Sequence, residues 1–208
     1  MSDKEAVVSW FNEDLDWLSI VEKIGWRITV YKKGTIDQTV RYPKQWQFIN
    51  LQNVGQEAHT FLSHIVNRYD TMADQTLFMQ GRVKDHVPGF TQKLREAPER
   101  IGFYPFGSNL QKCMLGAWGS YDGHGAQAYK SFFGVAPPIE ETSFLPNSLF
   151  IVSRDLIRYR PLEMYQRALD WIEVDHSHGG FCEDGTPGTK AAVSFEGLWQ
   201  IIFNGRDR

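Results

Sequence analysis

Short apolar runs alternate along the chain with longer stretches whose apolar residues recur at helical spacing. The short runs are rich in β-branched and aromatic residues and predict strands at residues 6–10, 26–31, 47–51, 76–79 and 148–153. The clearest helix follows Gly55, with apolar positions at i, i+3, i+4, i+7, i+8 and i+11, namely Ala58, Phe61, Leu62, Ile65, Val66 and Tyr69. Further helices are expected after Asn12 as N-cap, after Pro161 and around Trp199.

Strands that alternate with helices are typical of an α/β domain with a mainly parallel central sheet flanked by helices. The length of 208 residues fits a single domain. Ligands of such sheets bind beyond the carboxyl ends of the strands, so the residues that follow strands are the first candidates for a site. The segment 116–134 contains five glycines and is expected to be a mobile loop.

Composition narrows the class of protein. Hydrophobic residues make up 42% and charged residues 23% of the chain, which is typical of a folded protein. The formal net charge of -3 gives no basic surface for nucleic acid. No apolar run is long enough to span a bilayer, and the first residues lack a signal-peptide pattern. Cys113 and Cys182 lack metal-type spacing and are expected to be free thiols, so a soluble cytoplasmic protein is expected.

Aromatic residues are unusually frequent, at 14% of the chain. Most of them fall on periodic apolar positions, which predicts a core. Four others follow strands or lie in the glycine-rich segment, where a base or a sugar ring would stack: Trp10, Tyr31, Trp118 and Tyr121.

Polar residues follow the first two predicted strands. Asn12 and Glu13 are suited to contact a nucleoside, although helix capping explains them equally well. Lys33 ends the second strand, and its ammonium would neutralise a diphosphate or lie in a solvated turn.

The richest polar segment, residues 80–86, follows the fourth strand. Arg82 and Lys84 are suited to phosphates, whereas Asp85 and His86 are suited to a metal or a hydroxyl. A charged loop without a ligand is the alternative. The position after a strand favours a functional role.

Glu196 lies among aromatic residues near the start of the last predicted helix. Such surroundings predict a raised pKa and a role as general base, and an ordinary first-turn acid is the alternative. Asp175 is a second candidate base, and His178 nearby is a candidate metal ligand. His59 and His64 are expected at the surface or as helix caps.

The order of these pieces resembles that of GT-A nucleotide-sugar glycosyltransferases. The resemblance rests on residues 8–13, which end in Asn-Glu, on Asn53-Val54-Gly55, on the strand at 76–79, on residues 147–165 and on residues 196–199. More closely, the chain is similar to uncharacterised GT-A-like proteins of fungi, bacteria and large viruses. They share an Asn-Glu-Asp-Leu start, an Asn-x-Gly-x-Glu-Ala-His helix and a Phe-x-Gln-Gly strand end.

The resemblance implies one GT-A-like, Rossmann-like domain, with a nucleotide-binding half at residues 1–90 and an acceptor-side half at residues 91–208. It implies transfer of a sugar from a nucleoside diphosphate donor to a hydroxyl of a glycan or other acceptor. The implied donor-binding residues are Trp10, Asn12, Glu13, Tyr31, Lys33, Gln80, Arg82 and Lys84. The implied sugar- or acceptor-binding residues are Trp118, Tyr121, Arg154 and Trp199. A viral or microbial protein is expected, either alone or as one domain of a larger one.

The chain departs from the resembled enzymes at their Asp-x-Asp motif, where it has Gln80-Gly81-Arg82. The expected Mn²⁺ or Mg²⁺ would then be held by Asp85, His86 or His178, or Arg82 and Lys84 would replace it as fixed positive charge.

Two other functions stay open. One is a catalytically degenerate module that binds a nucleotide or glycan without transfer, which the missing Asp-x-Asp favours. The other is a metal-dependent hydrolase, built on Asp85, His86, Asp175 and His178.

Overall fold

A six-stranded sheet with the order β3-β2-β1-β4-β8-β5 forms the centre of the fold. Its strands are β1 (Lys4–Trp10), β2 (Arg27–Lys32), β3 (Gln47–Asn50), β4 (Gln75–Gln80), β5 (Phe103–Pro105) and β8 (Phe150–Ser153). A separate two-stranded sheet pairs β6 (Gln111–Met114) with β7 (Glu141–Phe144). The computed structural model describes residues 2–34, 42–99, 102–107, 109–114, 124–138, 141–175 and 189–204.

Helices cover both faces of the sheet. They are α1 (Leu18–Lys23), α2 (Gln56–Arg68), α3 (Phe90–Glu96), α4 (His124–Phe133), α5 (Arg154–Tyr159), α6 (Leu162–Asp175) and α7 (Thr189–Asn204), with a 3₁₀ turn at Tyr69–Thr71. None of the helices in the described ranges is long and apolar enough to cross a membrane.

Strand direction confirms the expected α/β class. β1 runs parallel to both β2 and β4, and β2 runs parallel to β3. β8 is antiparallel to β4 and to β5. The carboxyl ends of β1 to β4 therefore meet at one edge of the sheet, whereas β8 ends at the opposite edge.

Two apolar clusters lie on the two faces of the sheet. Alternating side chains of β1 point to opposite faces, so Val7 joins the cluster with α2, α6 and α7, whereas Ala6 and Val8 join the cluster with α1 and α3. The expected aromatic core is confirmed, because its members are at most 3% exposed: Phe61, Phe78, Phe150, Tyr165, Trp199 and Phe203.

The helix predicted after Asn12 exists, but its predicted first residue is wrong. The helix α1 begins at Leu18 with Trp17 as its N-cap. The side-chain Oε2 of Glu13 accepts hydrogen bonds from the backbone N–H groups of Phe11 and Asn12. This local turn competes with helix formation, so Asn12 does not cap a helix.

The predicted mobile loop at 116–134 is also wrong in part, because α4 occupies His124–Phe133. Ala128 and Phe132 lie four positions apart and are fully buried against the cluster with α6 and α7. This spacing is helical, and the frequent glycines obscure it. Residues 116–123 lie outside the described residues.

Candidate functional site

An open cavity of about 630 Å³ lies at the carboxyl edge of the parallel strands. It sits where the strand order reverses between β1 and β4, the position at which sheets of this kind bind ligands. Its lining comes from the ends of β1, β2 and β4 and the turns that follow them, from the start of α2 and from the middle of α7: Ser9, Trp10, Phe11, Asn12, Glu13, Lys33, Asn53, Gln56, Glu57, Gln80, Arg82, His86 and Glu196.

The side chain of Glu13 stabilises the turn that follows β1. Its Oε2 lies 2.9 Å from the backbone nitrogen of Phe11 and 3.1 Å from that of Asn12. The indole N–H of Trp10 donates to the Glu13 carbonyl at 2.7 Å. A Cβ on Gly81 would lie 2.7 Å from Glu13 Oε2, so this glycine permits the close approach of β1 and β4 exits. Glu13 and Asn12 therefore line the cavity, with the Glu13 carboxylate already engaged.

The expected stacking of a base or a sugar ring on Tyr31 is wrong. Tyr31 is 2% exposed, and its hydroxyl lies 3.1 Å from Nδ1 of His64 in the core. Trp10 touches the cavity but is only 3% exposed, so it has no free ring face. Phe11, which the sequence reasoning missed, is 46% exposed at the same cavity. Alternation along β1 sends Trp10 inward, and the next residue faces outward.

Lys33 is held at the exit of β2. Its backbone N–H donates to the Trp10 carbonyl at 2.8 Å. Its Nζ donates to the carbonyl of Val54 at 2.5 Å and to that of Gln56. Burial lowers the pKa of Lys33 to about 7, and the carboxylate of Glu57 acts in the opposite direction. Lys33 therefore does not lie in a solvated turn, which was one of its two expected roles. Its amine links the end of β2 to the turn before α2 through these hydrogen bonds.

Two glutamates with raised pKa values face the cavity. Burial and the charge of Glu57 raise the pKa of Glu196 to about 7, although the backbone N–H of Asn147 opposes this. The expected raised pKa of Glu196 is therefore confirmed, but its expected place near the start of the last helix is wrong, because α7 already begins at Thr189. Burial also raises the pKa of Glu57 in the first turn of α2, against Lys33 and hydrogen bonds to Ser148, Gln80 and its own backbone.

Glu57 is a site residue that the sequence reasoning missed. It is 6% exposed, and a glutamate is almost never fully buried unless it is paired. The sequence feature that could have identified Glu57 is its place in the Asn-x-Gly-x-Glu-Ala-His segment, next to the apolar stripe of α2.

A strained turn supports both glutamates. Asn147 has φ +88° and Ser148 has φ +40°, left-handed values that non-glycine residues seldom adopt. The backbone of Asn147 acts on Glu196, and the side chain of Ser148 acts on Glu57. Backbone strain of this kind persists where the surrounding structure enforces it, often at functional sites.

The side chains of the segment after β4 line two different surface depressions. Arg82 and His86 line the cavity. Lys84 and Asp85 instead line a neighbouring depression of about 610 Å³, which also touches Arg82. The Arg82 Nε lies 3.6 Å from Asp85 Oδ2, with both side chains more than half exposed. Such exposed pairs are weak, so Arg82 is free to exchange this partner for a ligand.

A metal cage is not formed by the described residues. Among them, no three His, Cys, Asp or Glu side chains are grouped for a metal ion. Asp85 and His86 therefore lack a third ligand within the described ranges, and His178 lies outside them. Asp175 is the last residue of α6.

Two expected substrate-binding residues are not at the cavity. Arg154 Nη2 pairs with Asp74 Oδ1 at 2.8 Å, at the opposite edge of the sheet, because β8 is antiparallel to β4. Trp199 is 1% exposed and stacks on Phe203 with an interplanar angle of 8°. Trp118 and Tyr121 lie outside the described residues.

The expected positions of His59 and His64, at the surface or as helix caps, are wrong, and Gly55 and Tyr69 cap α2. Both are at most 1% exposed. His59 Nε2 lies 3.1 Å from Glu173 Oε1 on α6. Burial lowers the pKa of His64 to about 4, with Glu5 opposing the shift. These histidines join α2 to the rest of the core.

Comparison with known proteins adds one finding. A family model described as "Protein of unknown function (DUF3431)" matches residues 6–96. Among curated proteins, none matches the chain. The matched segment runs from β1 to α3 and contains Lys33, Glu57 and Gln80, whereas Glu196 lies beyond it.

Proposed function

We propose that the protein is a glycosyltransferase that uses a nucleoside diphosphate sugar as donor and a hydroxyl group as acceptor. The observation that carries the proposal is the cavity at the reversal point between β1 and β4, with Glu196 in its wall. Open α/β sheets bind ligands, nucleotides among them, at such a reversal point. A volume of about 630 Å³ is within the range of small-molecule sites.

Donor binding in this proposal uses an aromatic ring and a cation. Phe11 offers the exposed ring at the cavity and stacks on the base. Arg82 offers the exposed guanidinium, which binds phosphate oxygens in a bidentate manner. The amine of Lys33 is already bound to two carbonyls, so Arg82 carries the phosphate contact.

Acceptor activation uses Glu196. A base works best when its pKa lies near the pH of the reaction, and the pKa of Glu196 is raised to about 7. Its carboxylate takes the proton of the acceptor hydroxyl as the oxygen attacks the anomeric carbon. The bond to the diphosphate breaks on the opposite side, so the proposal predicts inversion at that carbon.

No step is assigned to a metal ion, because the described residues do not group three ligands for one. Arg82 instead stabilises the charge that develops on the leaving diphosphate.

The test is a thermal-shift panel of nucleosides, nucleoside diphosphates and nucleotide sugars, with and without Mn²⁺. Stabilising ligands are then incubated with the protein to measure release of nucleoside diphosphate. We expect stabilisation by a diphosphate-containing ligand and its release from the sugar. Arg82→Gln should weaken binding of diphosphates but not of nucleosides, whereas Arg95→Gln on the exposed side of α3 should change neither.

Each other outcome has a definite meaning. Binding without release over long incubation would favour a binding module that does not transfer. Tight stoichiometric metal in the purified protein would favour the hydrolase alternative. A lack of stabilisation by every nucleotide would contradict the proposal.

A further inference from the structure

We propose that the core beneath α2 binds one ordered water molecule, which His64, Glu5 and Thr76 hold between them. These side chains come from α2, β1 and β4, respectively. The inference concerns the interior of the protein rather than the cavity, so it does not depend on glycosyl transfer.

Two polar atoms at this place have no hydrogen-bond partner among the described residues. They are Nε2 of His64 and Oγ1 of Thr76, and both residues are 0% exposed. A buried donor or acceptor that stays unpaired is costly. Native proteins commonly satisfy such atoms with an internal water, so the two atoms point to a small bound molecule.

The strand register brings the three side chains together. Glu5 and Thr76 are direct partners on the parallel strands β1 and β4, so their side chains lie on the same face of strands about 4.8 Å apart. This is the face that α2 covers, because Phe78, two residues after Thr76, contacts the His64 ring at a centroid distance of 5.9 Å.

The separation of His64 and Glu5 suits a bridging molecule. Nε2 of His64 lies 4.0 Å from Oε2 of Glu5, which is too long for a direct hydrogen bond. A water molecule reaches both atoms at once, since each of its hydrogen bonds is about 2.8 Å long.

The surroundings of His64 determine which of its nitrogens carries the proton. Burial lowers the pKa of His64 to about 4, so the ring is neutral at pH 7 and has a single N–H. Burial acts to raise the pKa of Glu5, but the groups around its carboxylate outweigh burial and lower it. Glu5 is therefore an acceptor, and an N–H on Nε2 faces it. Nδ1 then accepts from the Tyr31 hydroxyl, which lies 3.1 Å away.

The bound molecule must be neutral and must both accept and donate. It accepts from the N–H of His64 and donates to Oε2 of Glu5, whereas the Thr76 hydroxyl can take either role. A cation is disfavoured, because Arg27 Nη2 already pairs with the same Glu5 oxygen at 2.9 Å. Water meets these conditions, and three partners are typical of an internal water.

The water links α2 to the two central strands of the sheet. The same helix is joined to β1 by the hydroxyls of Thr60 and Ser9, which lie 2.9 Å apart, and to β2 by His64 and Tyr31. The water adds a polar contact to the start of β4. Because α2 also carries Glu57, this contact supports the cavity wall from the interior.

The test combines a high-resolution crystal structure of the protein with nitrogen-15 NMR of its histidine rings at pH 7. We expect density for one water within hydrogen-bond distance of His64 Nε2, Glu5 Oε2 and Thr76 Oγ1. The spectra should show a proton on Nε2 of His64 and none on Nδ1. A direct hydrogen bond between His64 and Glu5, dry packing around Thr76, or a proton on Nδ1 would each overturn the proposal.

A variant tests the third partner of the water. Thr76→Val removes the hydroxyl at nearly constant volume, so this variant should lose the water density and the water–protein NOE at the His64 ring. Thr71→Val, at an exposed position of the 3₁₀ turn, should keep both. A Thr76→Val variant that binds the water as the wild type does would contradict the role of Thr76. If this variant fails to fold, the wild-type structure and spectra still decide the proposal.

Discussion

Three side chains with displaced pKa values meet in one cavity wall, and each is displaced by burial. Lys33 is shifted down, whereas Glu57 and Glu196 are shifted up. At the scale of single residues, the pKa values of about 7 mean that Lys33 and Glu196 change protonation state near neutral pH.

The first prediction concerns the protonation of Glu196. Because a general base acts only when deprotonated, transfer should rise with pH through the pKa of about 7 and level off above it. Glu196→Gln should abolish the transfer and leave donor affinity nearly unchanged. The measurement is the pH profile of kcat/KM, with Glu163→Gln, at an exposed position of α6, as the control. A Glu196→Gln variant that keeps the wild-type profile would contradict the assigned role.

The second prediction concerns Phe11. Phe11→Ala should weaken nucleotide binding by about 1–3 kcal/mol, the usual contribution of an aromatic ring to base stacking. Titration calorimetry with the nucleoside diphosphate that stabilises the protein measures the difference. Tyr159→Ala, which removes another exposed ring from α5, should bind as the wild type does. Equal losses in both variants would indicate a general effect on folding.

The third prediction concerns His64, which is fully buried. Its pKa is lowered from 6.5 to about 4, so the folded protein binds fewer protons than the unfolded chain in this window. As the pH falls from 6.5 to 4, the free energy of unfolding should therefore decrease by about 1.4 kcal/mol for each pH unit. His64→Gln, which keeps a polar partner for Tyr31, should have a flatter dependence. Urea denaturation at several pH values measures both, and parallel curves would exclude this origin.

At the scale of elements, the turns before helices fix the site. Gly55 has φ +56° as the N-cap of α2, and a Cβ there would lie 2.3 Å from Ile172 Cγ2 of α6. The same turn gives Lys33 its two carbonyl partners and begins the helix that carries Glu57. The packing of α2 on α6 thus depends on the absence of one methyl group.

The fourth prediction compares two glycines with positive φ. Gly89→Ala should cost about 1–2 kcal/mol through its backbone conformation alone, since its Cβ would have no neighbour within 4 Å. Gly55→Ala should cost about 2–5 kcal/mol, because the clash with Ile172 adds to the same backbone cost. Chemical denaturation measures both variants. Equal costs would show that α6 moves freely away from Gly55.

Strands and long helices were predictable from local pattern, because burial on both faces leaves runs of apolar residues in β1 and β4. The start of α1 was not, because the side chain of Glu13 holds the backbone in a turn. The helix α4 was hidden by glycines, although Ala128 and Phe132 carry its buried face. Short strands such as β5 have too few residues for a period to emerge.

At the scale of the whole molecule, the antiparallel direction of β8 places the residues that follow it at the edge of the sheet opposite the cavity. The sequence predicts that polar residues after every strand converge, and this holds for Lys33, Gln80 and Arg82 at the cavity. It does not hold for Arg154, because β8 is antiparallel. Direction depends on the chain connection, which local pattern does not record. Glu57 and Glu196 are distant in sequence, so only the packing of α2 on α7 brings them to one wall.

The fifth prediction follows from this separation. Arg154→Ala should leave ligand binding and any transfer unchanged, because its partners, Asp74 and the Met72 carbonyl, lie at the edge remote from the cavity. Binding of the stabilising nucleotide to this variant checks it. A loss comparable to that of Arg82→Gln would show that the two edges are coupled.

The central position of β1 has a consequence for how amide hydrogens exchange with solvent. β1 is paired on both sides along its length, with β2 and with β4, so its amides should exchange only when the whole sheet opens. The rim at residues 81–89 is a series of turns, whose amides should exchange through local opening. Deuterium should therefore enter residues 81–89 long before it enters β1.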